Sequence, residues 1–351
     1  MQKYQHGGQI YDAQGAAGDW LDFSANVNPL GLSEKIRRAL SENLGGVVNY
    51  PDPAATELKN LISLRYKIQP ENLVLLNGAA EFFYLYLNVT RPQKILIPAP
   101  AFSEYERAAR SINAEVEFFL TNAEENFHVD AEKIIAQIKS QETDCIFIGR
   151  PNNPTGNLIS IEDIKKIAAH TKIVVDESFI DFLPEKSARE SVSEKISVVQ
   201  SLTKIFAIPG LRLGFAVVEK NLAERLNLAK DVWNVNFLAQ KAGVAALDDE
   251  FFMEETRAWL EEEKKYFVGR LEKIRGVKFF APTVNFVLLQ LNSQETAAYV
   301  LKELRGKKIL LRSCANFVGL DARFLRTAIR SRDENKFLLD ALQEILKGVL
   351  S

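Results

Sequence analysis

Cysteine is scarce. Cys145 and Cys314 are the only two in 351 residues. They are too few and too far apart for a disulfide framework, and Cys145 sits in the apolar run Asp144-Cys145-Ile146-Phe147-Ile148. Both therefore read as buried thiols of a reducing compartment. Histidine is almost as rare, and His6, His128 and His170 are spaced too widely for a zinc motif, so no metal site is expected. No stretch reaches the ~18 apolar residues of a membrane span, and the opening Met1-Gln2-Lys3-Tyr4-Gln5-His6-Gly7-Gly8 lacks the apolar segment of a secretory leader, so a cytoplasmic protein is expected. An excess of one charge is missing too. Lys+Arg number 44 against 46 Asp+Glu, a formal charge of −2, so nothing global pulls the chain toward nucleic acid or an anionic membrane, and anion binding must be local. What remains is ordinary globular material, 47% hydrophobic and 26% charged, with length for a large core and a smaller second unit.

Short apolar runs alternate with helical periodicities through the middle of the chain. Residues 73–76, 94–97, 145–148, 173–175, 198–199 and 213–217 read as strands apolar on both faces. Amphipathic segments of about a dozen residues separate them, which predicts an α/β protein with a largely parallel sheet and helices on both sides. Leu58, Leu61 and Ile62 form one helical packing stripe and Ile134, Ile135 and Ile138 another. From about residue 236 the pattern changes to long helices ending with residues 250–274, whose run Glu261-Glu262-Glu263-Lys264-Lys265 reads as a solvated face. Short strands at 277–279, 286–289, 308–311 and 324–329, with helices near 296–304 and 334–346, suggest a smaller α+β unit. Ser33 is a helix N-cap candidate ahead of Ile36, Leu40 and Leu44. The expected division is an N-terminal arm with part of the small domain (1–45), a large domain (46–235), and connecting helices with the C-terminal small domain (236–351).

The most informative stretch is Ser201-Leu202-Thr203-Lys204, followed by a glycine-containing turn that carries Arg212 eight residues on. A lysine that must join an aldehyde carbon cannot also hold a phosphate, so the two hydroxyls and Arg212 would take the dianion. That reads as a pyridoxal phosphate anchor, although a solvated lysine in a strand-to-helix turn has the same outline. Other motifs stand at the carboxyl ends of predicted strands, where ligands bind in open α/β sheets. Asn77-Gly78-Ala79-Ala80-Glu81 opens a helix whose free N–H groups can hold a phosphate, yet glycine before a helix is commonplace. Asn153 lies in the rigid turn Pro151-Asn152-Asn153-Pro154 and can aim an amide at a ring oxygen, or serve the turn alone. Asp176 closes the strand Ile173-Val174-Val175, where its carboxylate could face a pyridinium N–H or simply cap a helix. Phe102 could stack on a flat cofactor or belong to the core.

Taken in order, Gly78, Phe102, Asn153, Asp176, Ser201, Thr203, Lys204 and Arg212 reproduce the set found in fold-type-I pyridoxal phosphate enzymes, and the chain resembles that aminotransferase superfamily over nearly its whole length. The resemblance implies the aspartate aminotransferase-like fold, with a mostly parallel seven-stranded sheet in a large domain and a smaller α+β domain. It implies Lys204 as the cofactor-bearing proton carrier, Asp176 at the ring nitrogen, Asn153 at the ring hydroxyl oxygen and Phe102 on the ring face. The turn at Gly78 and the backbone of Ala79 and Ala80, with Ser201, Thr203 and Arg212, would surround the phosphate. Tyr50, in Asn49-Tyr50-Pro51-Asp52-Pro53, matches a tyrosine that a neighbouring subunit usually contributes, which implies a homodimer with shared active sites.

Within the superfamily, His6-Gly7-Gly8, Asp22 to Gly31, Asp176 to Phe182 and Leu311 to Asn316 resemble the threonine-phosphate decarboxylases of cobalamin biosynthesis. The histidinol-phosphate aminotransferases share the anchor motifs but usually carry tyrosine where Phe179 stands, and phenylalanine cannot donate that hydrogen bond. Arg326 matches the arginine that binds the substrate α-carboxylate, with Arg312 fourteen residues earlier on a neighbouring strand and Arg330 as support. The resemblance assigns His6, Gly7, Asn26, Asn153, Arg312 and Arg326 to a small phosphorylated amino acid. Its carboxylate and phosphate bring up to three negative charges, which suits an arginine cluster. The implied reaction is decarboxylation of L-threonine O-3-phosphate to (R)-1-amino-2-propanol O-2-phosphate. The same residues transaminate if the Cα–H bond stands perpendicular to the cofactor ring, so a histidinol-phosphate-type aminotransferase remains open, as does a noncatalytic binding or regulatory version of the fold. Arg150, where the family more often has a small or neutral residue, and Ala79, replacing a frequently acidic one, could each tilt substrate choice.

Overall fold

The structure, a computed structural model, describes Tyr4 and residues 6–350; residues 1–3, 5 and 351 of the expected outer segments lie outside the described residues. The chain runs β1 (Leu21–Asp22), α1 (Glu34–Asn43), α2 (Thr56–Tyr66), β2 (Leu73–Leu76), α3 (Ala80–Thr90), β3 (Lys94–Ala99), α4 (Glu104–Ser111), β4 (Glu115–Leu120), α5 (Ala131–Gln141), β5 (Cys145–Gly149), α6 (Ile161–Ala168), β6 (Lys172–Asp176), β7 (Ile196–Ser201) and β8 (Gly214–Val217). It continues through α7 (Lys220–Ala229), α8 (Phe237–Leu247), α9 (Glu250–Leu271), β9 (Val277–Phe280), β10 (Phe286–Leu291), α10 (Gln294–Gly306), β11 (Ile309–Leu310), β12 (Arg312–Ser313), β13 (Phe324–Ala328) and α11 (Arg332–Leu350). Ser33 caps α1, its side chain accepting from the Ile36 amide at 3.4 Å.

A strand apolar on both faces needs cover on both, and alternate residues go to opposite layers. Ile95, Ile97 and Phe147 pack with Phe82, Phe83 and Ala108 of α3 and α4. Between them, Leu96 and Ile146 point to the other face and meet Ile134 and Ile138 of α5 and Ile164 and Ile167 of α6. The result is a seven-stranded sheet in the order β2-β8-β7-β6-β5-β3-β4. The pairs from β4 through β3, β5 and β6 to β7 are parallel, and β8 runs antiparallel to both β7 and β2. This is the expected α/β architecture. One strand of this sheet escaped the sequence pattern: β4, Glu115-Val116-Glu117-Phe118-Phe119-Leu120, is an edge strand with both ends exposed, so charges interrupt its apolar run.

A four-stranded antiparallel sheet, β12-β13-β10-β9, forms from the C-terminal part, and β1 pairs in parallel with β11 through Leu21↔Ile309 and Asp22↔Leu310. The N-terminal segment thereby joins the tail, while α1 lies against α8. The acidic run on α9 is not wholly solvated as its composition suggested. Glu263 is buried, pairing with Arg332 at 2.7 Å and accepting from Asn335 at 2.9 Å, because α11 crosses over that turn. Among the described residues no helix is long and apolar enough to cross a membrane.

Candidate active site

Parallel strands deliver their carboxyl ends to one rim of the sheet, and the loops that follow carry the chemistry. Phe102 comes three residues after β3, Asn153 four after β5, Asp176 ends β6 and Lys204 follows β7. With Ala80 and Arg212 they line a cavity of about 420 Å³, closed on the far side by His6, Gly7, Asn26, Arg312 and Arg326.

Asp176 is buried, and burial pushes its carboxyl up against the pull of its hydrogen bonds. Oδ1 accepts from the Ser178 amide at 2.9 Å and the Ser178 hydroxyl at 2.6 Å, and Oδ2 accepts from the Tyr105 hydroxyl at 2.6 Å. Three donors favour the charged form of a carboxylate held out of water. The next residue, Glu177, is fully buried and pairs with Arg150 at 3.1 Å while also accepting from the Ala188 amide and the Gln200 amide group. Arg150 additionally donates Nε–H to the Ile159 carbonyl at 2.9 Å. It does not line the cavity and ties the Asn153 loop to the end of β6, so any influence it has on substrate choice passes through that loop.

Lys204 is half-buried in the turn after β7. Burial, aided by the guanidinia of Arg212 and Arg326, pulls its ammonium down to about 8, which Asp176 opposes. Asn28 braces this turn: its amide N–H bonds the Lys204 carbonyl at 3.1 Å and its side chain donates to the Ile205 carbonyl at 2.7 Å. Around the turn lies a small cradle. Gly78 has φ 77° and comes so close to Arg212 that a Cβ there would stand 2.1 Å from the guanidinium. Arg212 itself has φ 57°, a left-handed conformation rare outside glycine and asparagine. Helix α3 opens just beyond without a side-chain cap, so its first N–H groups are available to an anion. Ser201 and Thr203 share a 2.7 Å hydrogen bond with each other. Gly78, Ala79, Ser201 and Thr203 do not line the cavity; they sit behind Ala80 and Arg212, where Ser201 is the register partner of Gly214.

On the opposite wall Arg326 donates to the Asn153 side-chain oxygen and to the Ser24 carbonyl. Arg312 donates to Asn316 at 2.6 Å and to the Ser313 carbonyl. Asn26 is 4% exposed, yet neither atom of its amide has a partner. A buried, unsatisfied amide facing a cavity is costly unless a ligand completes it. Arg330 donates to the Asp22 carbonyl at 3.1 Å and to Glu334 at 2.7 Å, a supporting role as expected. Tyr50 stands apart: it is 76% exposed and stacks on Trp233 at 4.2 Å, away from this chain's own cavity. Glu104, Tyr105 and Arg107 of α4 also line the cavity, although no sequence motif singled them out.

A cradle with no room for a Cβ, an uncapped helix start, a buried carboxylate and a lysine with a lowered pKa together fit a flat, phosphorylated pyridine aldehyde. The family model for aminotransferase class I and II matches residues 18–342, and the chain belongs to that family; it is an enzyme whose cofactor is pyridoxal 5′-phosphate. The chain is 34% identical to the threonine-phosphate decarboxylase of Salmonella typhimurium, covering 98% of this chain and 97% of that protein. Among solved structures it is similar to the histidinol-phosphate aminotransferase of Clostridium acetobutylicum (32% identity, TM-score 0.86, 93% and 99% of the two chains). It is also similar to the L-threonine-O-3-phosphate decarboxylase of Porphyromonas gingivalis (27% identity, TM-score 0.82, 93% and 99%).

Proposed function

We propose that the protein decarboxylates L-threonine O-3-phosphate to (R)-1-amino-2-propanol O-2-phosphate, a step of cobalamin biosynthesis. One observation carries the reading. His6, Arg107, Lys204, Arg212, Arg312 and Arg326 surround the cavity, while Glu104 and Asp176 are its lining carboxylates, and each of these two is occupied by its own donors. A ligand with both a carboxylate and a phosphate suits that surplus. Phe179 favours it over histidinol-phosphate transamination: the ring is buried edge-on against Phe286 at 5.1 Å and offers no hydroxyl to the cofactor.

When bound, the cofactor supplies an electron sink for the pair left at Cα as a bond there breaks. Lys204 would carry it, with the Gly78–Ala80 turn, Ser201, Thr203 and Arg212 on its phosphate and Phe102 against its ring. Asp176, kept charged by Ser178 and Tyr105, would hold a proton at the cofactor's ring nitrogen. Because Oδ1 of Asn153 is engaged by Arg326, its NH₂ would be the donor left for the cofactor's ring oxygen. Arg326 and Arg312, with His6, Gly7 and Asn26, would hold the anionic groups of the substrate and thereby fix which bond at Cα is presented for cleavage. Lys204, its ammonium pulled down to about 8, returns a proton to Cα near neutral pH.

We further propose a homodimer in which Tyr50 serves the partner's site, and the division of each chain near residues 45 and 235. The reaction is tested by incubating the holoenzyme with O-phospho-L-threonine and no keto acid. Carbon dioxide and a phosphorylated amino alcohol are expected. Release that requires 2-oxoglutarate, or glutamate formed with 2-oxoglutarate from histidinol phosphate, overturns the reading.

A further inference from the structure

We propose that Glu104 is a positioning residue, a catch that holds residues 6–8 across the cavity mouth and presents the His6 imidazole to the anionic end of the substrate. The proposal rests on the reading that this end is anionic. Glu104 opens α4, its side chain 9% exposed, in a cavity where cationic side chains outnumber the two carboxylates, Glu104 and Asp176. A bare carboxylate there would repel the ligand the cations attract. It is not bare. Oε1 lies 2.9 Å from His6 Nε2 and 3.4 Å from Arg107 Nη1, and Oε2 accepts from the Tyr84 hydroxyl at 2.8 Å. Burial would push its carboxyl up, yet the bonds from His6 and Tyr84 bring it below the usual range, so the acceptor is the charged form.

The consequence for His6 is orientation. An ionised acceptor takes the Nε2–H and leaves Nδ1 as the edge turned to the ligand; an anion there needs a donor, so the ring that meets the substrate is the imidazolium with Nδ1–H pointing at it. The ring is fixed from a second side by Phe102, with centroids 5.3 Å apart. The following residues are clamped at their other end. A Cβ on Gly7 would lie 2.1 Å from the Ser24 carbonyl oxygen, and the Gly8 amide donates to the Ser24 hydroxyl at 2.8 Å. That same Ser24 carbonyl accepts from Arg326. Residues 6–8 are thus strung between Glu104 and the backbone that steadies Arg326, and docking them assembles both walls of the cavity together.

The test uses holoenzyme with Glu104→Gln, which keeps the side-chain shape, His6→Ala at the half-exposed partner, and the double variant. Amide hydrogen exchange of the N-terminal peptide, read by mass spectrometry without substrate, is expected to quicken about tenfold around Gly8 in Glu104→Gln. In steady state, KM for O-phospho-L-threonine is expected to rise about tenfold in either single variant with kcat changed far less, and no further in the double variant. Unchanged exchange in Glu104→Gln, or additive KM effects in the double variant, overturns the proposal. If the wild type does not turn over O-phospho-L-threonine, the functional reading fails, and the exchange comparison alone decides the catch.

Discussion

Arg312 of β12 and Arg326 of β13 are register partners on adjacent antiparallel strands, so two guanidinia stand on one wall of the cavity. Like charges directly opposite destabilise a strand pair. Burial, with Arg312 beside it, pulls Arg326 down to about 10 although Cys314 pulls the other way. A doubly charged ligand between them removes that repulsion. Replacing Arg312 by alanine is therefore expected to raise KM for O-phospho-L-threonine about 10- to 100-fold, the worth of one or two charge-assisted hydrogen bonds. Steady-state kinetics checks this, and the effect should respond to salt less than an exposed ion pair would.

Replacing Lys204 by alanine is expected to abolish turnover and the near-visible absorbance of the bound cofactor. Borohydride reduction of the wild type followed by peptide mass spectrometry should place the pyridoxyl adduct on Lys204; an adduct elsewhere would reject this residue as the anchor.

The lowered pKa of Lys204 has a sign that can be measured. The folded apoprotein releases this proton near 8, whereas the unfolded chain holds it to about 10.5. The cost of burying the ammonium is carried in full below about pH 8 and is relieved as pH rises toward 10.5, so apoprotein stability gains with pH across that window. Denaturant titrations of wild type and Lys204→Met at several pH values should differ by this increment. Cofactor recapture by the apoprotein should rise with pH and level off above about 8.

Tyr105→Phe removes one of three donors to Asp176. With burial left unopposed on that oxygen, the Asp176 carboxyl moves further up, and its grip on a ring proton weakens. The expected result is weaker cofactor binding, about 5- to 10-fold by equilibrium dialysis, together with a loss of kcat and a shifted pH profile of the cofactor absorbance.

Arg150 and Glu177 form a pair with side chains 3% and 0% exposed. Removing one partner strands the other charge out of water, which costs about 3–5 kcal/mol. Arg150→Met should lower stability by about that much in urea unfolding, and removal of both charges should recover part of it.

Val48, Tyr50 and Val232 are 84%, 76% and 51% exposed, and Trp233 stacks on Tyr50. That apolar surface is expected to be covered by a second copy of the chain. Val48→Asp should shift the sedimentation coefficient of the holoenzyme toward the monomer and reduce turnover with it.

The central strands were legible because residues apolar on both faces admit few other structures. β4 was not, since Glu115 and Glu117 break its pattern at the sheet edge, and nothing in periodicity reveals that β8 runs against its neighbours. The strand-end residues of the site were legible for a related reason: each follows an apolar run, and Gly78, Asn153, Asp176 and Lys204 are polar or glycine there, with Phe102 the aromatic exception. Tyr105 was hidden because it lies in a short amphipathic helix, and its partner Asp176 is 71 residues away. Glu104 and Arg107 read as ordinary charges of a first helical turn. Arg150 was noticed for its charge but not placed, because Glu177, which holds it, is brought beside it only by the packing of β5 against β6.

The reversed direction of β8 has a bearing on how this protein can change. Between Ser201 and its partner Gly214 the chain returns with no α-helix, only a single 3₁₀ turn at Pro209–Leu211, so Lys204 and Arg212 ride on one link between two paired strand ends. An inserted residue between Lys204 and Arg212 would alter the spacing of amine and guanidinium, since both strand ends are fixed by their pairing. Retuning toward a different ligand must then be carried out on the β12–β13 wall and at residues 6–8, while this link keeps its length.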